Sequence, residues 1–393
     1  MSDSGAVALS SGVLNNGVFD VAATNNGAQV QSLSGSGAVL LGGQTLTLTN
    51  ANDQFAGTIN GWGGLTVAGG HAVLSGANTY TGVTTVDQWS SLALSGSGSI
   101  AASEGLLNNG VFDIAATNSG AQVQSLSGSG AVLLGGQTLT LTNAHDQFAG
   151  VIEGAGGLTV AGGYEVLSGA NTYTGATSVS EWSTLELSGS GSIAASEGLL
   201  NNGYFNIAAT NNGADVQSLS GSGAVLLGGQ TLTLTNAHDQ FAGTINGWGG
   251  LTVAGGHEVL SGANTYTGVT TVDQWSSLSL SGSGSIAASE GLLNNGVFDI
   301  AATNSGAEVQ SLSGSGAVLL GGQTLTLTNA HDQFAGVIEG AGGLAITGGY
   351  ENLAGANTYT GATTVGEWGN LSLSGSGSIA ASEGLLNNGV FDI

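Results

Sequence analysis

The sequence predicts an all-β fold, a β-solenoid, and three observations carry that expectation. Apolar and polar residues alternate with a period of two, a 93-residue segment recurs along the whole chain, and glycine punctuates it in the absence of proline. The alternation is clearest in Thr45-Leu46-Thr47-Leu48-Thr49, which places both leucines on one side of a strand and the three threonines on the other. Leu65-Thr66-Val67 and Leu92-Ala93-Leu94 repeat it. Between such strands lie Asn-Gly, Gly-Gly and Ser-Gly pairs, residues that turn the chain at low steric cost. No segment has helical periodicity with caps.

The repeat is read from Leu14-Asn15-Asn16-Gly17, which returns at residues 107, 200, 293 and 386, each step being 93 residues. Four units follow, 22–114, 115–207, 208–300 and 301–393, after a partial unit, 1–21, that matches the last 21 residues of each. The units alternate. The first and third (A type) carry Thr58-Ile59-Asn60-Gly61-Trp62 and Thr244-Ile245-Asn246-Gly247-Trp248; the second and fourth (B type) carry Val151-Ile152-Glu153-Gly154-Ala155 and Val337-Ile338-Glu339-Gly340-Ala341. A closed barrel does not lengthen with repeat number, whereas a solenoid does, so the array reads as one continuous solenoid. Strand and turn lengths suggest roughly four coils per unit, about 20–25 residues each, and a rise of about 4.8 Å per coil gives a rod on the order of 80 Å.

Composition narrows the partners. The chain has no Lys or Arg against 25 Asp plus Glu, a formal charge of −25. Neutralising nucleic-acid phosphates needs a basic patch, and anionic membrane surfaces attract basic segments, so neither is an expected partner. Without cysteine there is no disulfide, thiolate chemistry or Cys-based zinc site. No apolar run approaches the roughly 18 residues of a membrane span. Met1-Ser2-Asp3-Ser4 lacks the basic start of a secretory signal, so an exported parent protein would carry its targeting and anchoring segments elsewhere.

A resemblance then emerges. Gly64-Leu65-Thr66-Val67, continuing through Leu74-Ser75-Gly76-Ala77-Asn78-Thr79-Tyr80-Thr81-Gly82-Val83-Thr84-Thr85-Val86, resembles the autotransporter-associated β-strand repeat. It recurs at 158–179, 251–272 and 344–365 and covers about a third of each unit, counted by the repeat reading itself. The resemblance implies a right-handed parallel β-helix, the fold class expected for the whole array, displayed as the passenger of a secreted bacterial surface protein. In that frame Tyr80, Gly82, Thr84 and Val86 share a face. Val67 and its equivalents replace the family's usual lysine, and no membrane barrel follows. Glu165, Glu258 and Glu351 fall where the family places an inward leucine. With no cation to pair them, they are expected to be solvated through a local slip of register.

Chemistry-bearing residues are few. His145, His238 and His331 sit in Asn-Ala-His-Asp-Gln-Phe, where the first unit has Asn52; they and His71 and His257 read as polar loop residues. Ser, His and Asp show no spacing that singles out a nucleophile, and polysaccharide-cleaving β-helices recruit basic residues that are absent here. The expectation is a protein that is not an enzyme and needs no cofactor. Calcium is the one ion whose oxygen ligands are plentiful, but the Gly-Gly-x-Gly-x-Asp nonapeptide of calcium-stacked rolls does not occur. Trp89, Trp182, Trp275 and Trp368 recur at one corner of each unit, and Trp62 and Trp248 mark a second position in the A-type units. The simpler expectation is that each caps an open corner; the rival is that aromatics beside acids stack on glycans.

Together these readings predict a structural rod, a segment of an extracellular bacterial surface fibre or adhesin stalk. Opening and closing on the same motif, it is expected to stack head to tail on copies of itself into filaments. A glycan- or surface-binding adhesin is the second reading, and an engineered repeat polymer, suited to near-identical units lacking Lys and Arg, the third.

Overall fold

The structure, a computed structural model, describes residues 7–393 and the short strand Ser2–Asp3. Residues 1 and 4–6 of the N-terminal partial unit lie outside it. Strands are the only regular elements among the described residues. They form two compact units, Met1–Glu197 and Gly198–Ile393.

In the first unit, one face is the parallel ladder Ala28–Val30, Leu46–Leu48, Leu65–Val67, Thr84–Val86, Leu106–Asn108 and Leu126–Ser127. A second face runs through Gln54–Phe55, Gly70–Leu74, Ser90–Gly96, Val111–Thr117, Ala131–Gly135 and Val151–Gly154. Partners lie 18–22 residues apart, so each circuit returns the chain one strand spacing along: a β-solenoid, as expected. Alternation does the sorting. Leu46, Leu48, Leu65 and Val67 are buried, while Thr47 and Thr66 between them are half-buried. Like residues stack, Leu46 on Leu65 and Thr47 on Thr66. Each buried aliphatic side chain contributes about 1.5–3 kcal/mol.

The motif behind the family resemblance has a structural reason. Asn78 is a buried bracket: its Oδ1 accepts from the Ile59 N–H (2.9 Å) and its Nδ2 donates to the Gly76 and Ser99 carbonyls (3.0 Å each). Tyr80 is buried, its hydroxyl 2.6 Å from Thr84 Oγ1, which donates to Ser103 Oγ at 2.9 Å. Tyr80, Thr84 and Val86 do share the inward face, with Gly82 half-buried beside them. Gly57 is obligatory because a Cβ there would lie 1.9 Å from the Gly37 carbonyl oxygen of the previous turn.

The second unit is built alike. Ala214–Val216, Leu232–Leu234, Leu251–Val253, Thr270–Val272, Leu292–Asn294 and Leu312–Ser313 form one face. Gln240–Phe241 through Val337–Glu339 form another. Near its end two strands lengthen, Leu344–Leu353 and Thr363–Leu373, each running on where earlier copies break.

One expectation is corrected. Turns of 18–22 residues overlap the low end of the expected 20–25, but they number about 19 in all, more than four per unit, so the 93-residue sequence repeat is not a whole number of turns. The ladder from Val30 passes through Leu48, Val67, Val86 and Asn108, skipping the sequence copy of Val30, Val123. Val123 lies in a different sheet, beside Leu141 and Val160.

Candidate functional site

Two constellations stand out, the tryptophan corners and a set of carboxyl groups inside the coil.

The corner at Asp87-Gln88-Trp89-Ser90 is held by its serine. The Ser90 N–H donates to the Asp87 carbonyl at 3.1 Å, and the buried Ser90 hydroxyl lies 2.6 Å from the Val67 carbonyl and 2.7 Å from that of Asp87. This tight turn leaves Trp89 in the left-handed region, φ 68°, where a residue with a Cβ is strained by about 1–2 kcal/mol. Trp182 (64°) and Trp275 (70°) are held likewise by Ser183 and Ser276. In the fourth copy Gly369 replaces the serine; the strand Thr363–Leu373 runs straight through and Trp368 pairs with Gly348.

The capping expectation fails for these residues. Trp89 and Trp275 are 90 % exposed and Trp182 87 %. Trp62 and Trp248 are exposed too, although their indoles cross Gly43 and Gly229, where a Cβ would approach Nε1 to 2.5 Å. The equivalent Gly136 of a B-type copy has open space instead. Nor do successive copies line up. Within the first unit the turn-to-turn register from the Trp62 corner passes Gly82, Glu104, Gln124, Asn143 and Gly162 and arrives at Trp182, whereas Trp89 follows Gly69 on another edge. The second unit repeats this, Trp248 and Trp368 sharing one edge and Trp275 lying on another.

At Trp275 the corner opens into a groove lined by Ala254, Asp273, Gln274, Asn295 and Ser315. Asn295 is positioned by the next turn, its Oδ1 accepting from Ser315 N–H at 3.3 Å and Ser315 Oγ at 3.4 Å.

The second constellation corrects the solvated-glutamate expectation. Glu165, Glu258 and Glu351 are fully buried and point inward, neither carboxyl oxygen making a hydrogen bond of regular geometry. Register explains it: Glu165 pairs with Leu185 and Leu167 with Leu187, so a slip that released the glutamate would expel buried leucines. The carboxyl yields instead. Burial, assisted by the charge of Asp146 in the turn below and opposed by the Leu126 backbone, pushes Glu165 up to about 9, a neutral acid at pH 7. Glu258 and Glu351 behave identically beside Asp239 and Asp332. The first copy has buried Ala72 there.

Ser125, Asp146 and His145 adjoin this acid. Ser125 Oγ donates to Asp146 Oδ2 at 2.7 Å and accepts from the backbone N–H of His145 at 3.0 Å. The imidazole donates through Nδ1 to the Asn143 carbonyl (2.9 Å), its Nε2 standing 3.8 Å from Asp146. The serine thus meets the histidine backbone rather than its ring, an arrangement that braces a loop. His71 and His257 contact Ser91 and Ser277 at 2.6 Å on the exposed face. Among the described residues no three His, Cys, Asp or Glu are grouped to hold a metal ion.

No family model, curated protein or solved structure matches the chain.

Proposed function

We propose that this chain is a non-catalytic structural rod, a spacer segment of an extracellular bacterial surface fibre or adhesin stalk that packs end to end on its own copies. The observation that carries the reading is the uninterrupted ladder within each unit. Every turn templates the next, and among the described residues no insertion breaks the circuit to build a pocketed domain. Stacked aliphatic rows with continuous backbone pairing suit a part that resists extension and proteolysis. A right-handed winding, favoured by the sterics of parallel crossovers, belongs to this proposal. So does self-association, with a net charge of −25 that slows it at low salt and a pH near 4 that releases it.

Negative-stain microscopy and small-angle scattering of the purified chain test the proposal. The expected particle is a rod that lengthens into filaments as salt rises. Compact globules, or single particles under every salt and pH condition, would count against it.

A further inference from the structure

We propose that the Asp-Gln-Trp corners of the A-type copies, at Trp89 and Trp275, are binding sites for a protonated amino sugar, the residue of a deacetylated hexosamine polymer. This goes beyond the spacer role and does not depend on it. The first argument is the conformation. A large aromatic side chain is held in the left-handed region at 90 % exposure, touching no core, by a buried serine hydroxyl that closes the turn. Strain of that kind, shared by Trp182 and yielding no packing in return, points to a task outside the fold, and the neighbouring polar groups then single out the A-type corners. The second argument is the surroundings. Trp275 stands in a groove with the carboxylate of Asp273, the amide of Gln274 and an Asn295 already positioned by Ser315. An indole face with a carboxylate and one positioned amide beside it suits the C–H face of a sugar ring and its hydroxyls.

Charge then selects the sugar. A chain with 25 acids and no Lys or Arg repels uronic, sialic or sulfated sugars. An ammonium group is drawn to the same field, to the Asp273 carboxylate and to the indole face. The B-type corner differs in kind: Ser180-Glu181 precedes Trp182 where the A type has Asp-Gln. Because Trp89 shares no edge with Trp62 and Trp182, each A-type corner takes its own sugar residue rather than a stretch of one aromatic strip.

The test is isothermal titration calorimetry of the whole chain with a glucosamine hexamer, its N-acetylated counterpart, an oligogalacturonate and hexalysine. Circular dichroism checks that each variant is folded. The glucosamine hexamer is expected to saturate, and W89A/W275A to weaken it about tenfold, the equivalent of about 1.4 kcal/mol. D87N/D273N should weaken it less, W62A/W248A should leave it unchanged, and the galacturonate should not bind. The proposal falls if W89A/W275A binds as the parent does or if no saturation is reached. It falls equally if hexalysine gives the same titration, which is bulk charge attraction, or if the N-acetylated hexamer binds as tightly, which removes the ammonium from recognition.

Discussion

Three inward acids make the fold's stability depend on pH in a direction opposite to ordinary salt-bridged proteins. In the unfolded chain Glu165, Glu258 and Glu351 ionise near 4.5; in the folded chain burial holds each to about 9. Below the lower value both states are protonated and the glutamates cost nothing in charge. Between the two values the unfolded chain releases a proton that the folded chain keeps, so stability falls as pH rises, by about 1.4 kcal/mol per unit for each residue. At pH 7 that is about 3 kcal/mol each, about 10 kcal/mol for three, and the loss levels off above about pH 9. A term of that size is comparable to the whole stability of a typical domain. The variant E165Q/E258Q/E351Q keeps the shape and removes the titration. Guanidinium unfolding followed by circular dichroism, at intervals from about pH 5 to about pH 9, reads the slope directly. The parent should weaken by up to about 4 kcal/mol per pH unit while the variant stays nearly flat. Parallel curves for the two proteins, or a parent that strengthens as pH rises, would refute buried, neutral glutamates.

Glycine contacts supply a matched pair. Gly57→Ala would force a methyl within 1.9 Å of the Gly37 carbonyl oxygen and should cost more than about 2 kcal/mol, whereas Gly136→Ala enters open space and should change stability by less than about 1 kcal/mol, both read by thermal melts. Equal melting points for the two would show that the stacked glycine column is not what fixes the turn spacing. Tyr80→Phe removes one buried hydroxyl from the bond to Thr84, which retains Ser103; a loss of about 1 kcal/mol is expected in the same assay, and a loss beyond about 3 kcal/mol would mean the hydroxyl chain acts as a unit.

The fold was legible because its signal is local. Leu46-Thr47-Leu48 already states which side is inside, and each turn repeats the statement to its neighbour. The inward glutamates were misread because their cost was judged for a charged group, while a carboxyl can shed its charge and stay. The copies held the corrective: buried Ala72 occupies the first unit's equivalent of Glu165, and a position that takes alanine among leucines faces the core. The tryptophans were misread for a different reason. Exposure at a corner depends on the backbone of the turn, here on a serine hydroxyl reaching the Val67 carbonyl of the previous turn, a contact 23 residues away in sequence.

The mismatch between a 93-residue repeat and an 18–22-residue turn bears on what repetition does in this molecule. Were the repeat a whole number of turns, every duplicated side chain would fall on one edge and the tryptophans would form a file. Instead Trp62 and Trp182, which occupy different positions in their own copies, meet on one edge six turns apart, about 29 Å at about 4.8 Å per turn. Trp89 and Trp182, which are copies of one another, do not. Core columns must therefore accept unlike neighbours, and they do: the column through Val30 continues as Leu48, Val67, Val86 and then Asn108. That buried asparagine joins the column because its Nδ2 donates to the Ala131 carbonyl at 2.8 Å. Within each unit, sequence repetition thus distributes corner sites around the coil, while the continuity of the ladder asks only that each inward residue fit the coil uncharged, as an aliphatic, an amide or, at Glu165, Glu258 and Glu351, a neutral carboxyl. Duplication of a segment of arbitrary length is compatible with such a fold, provided the turn-to-turn stacking is kept.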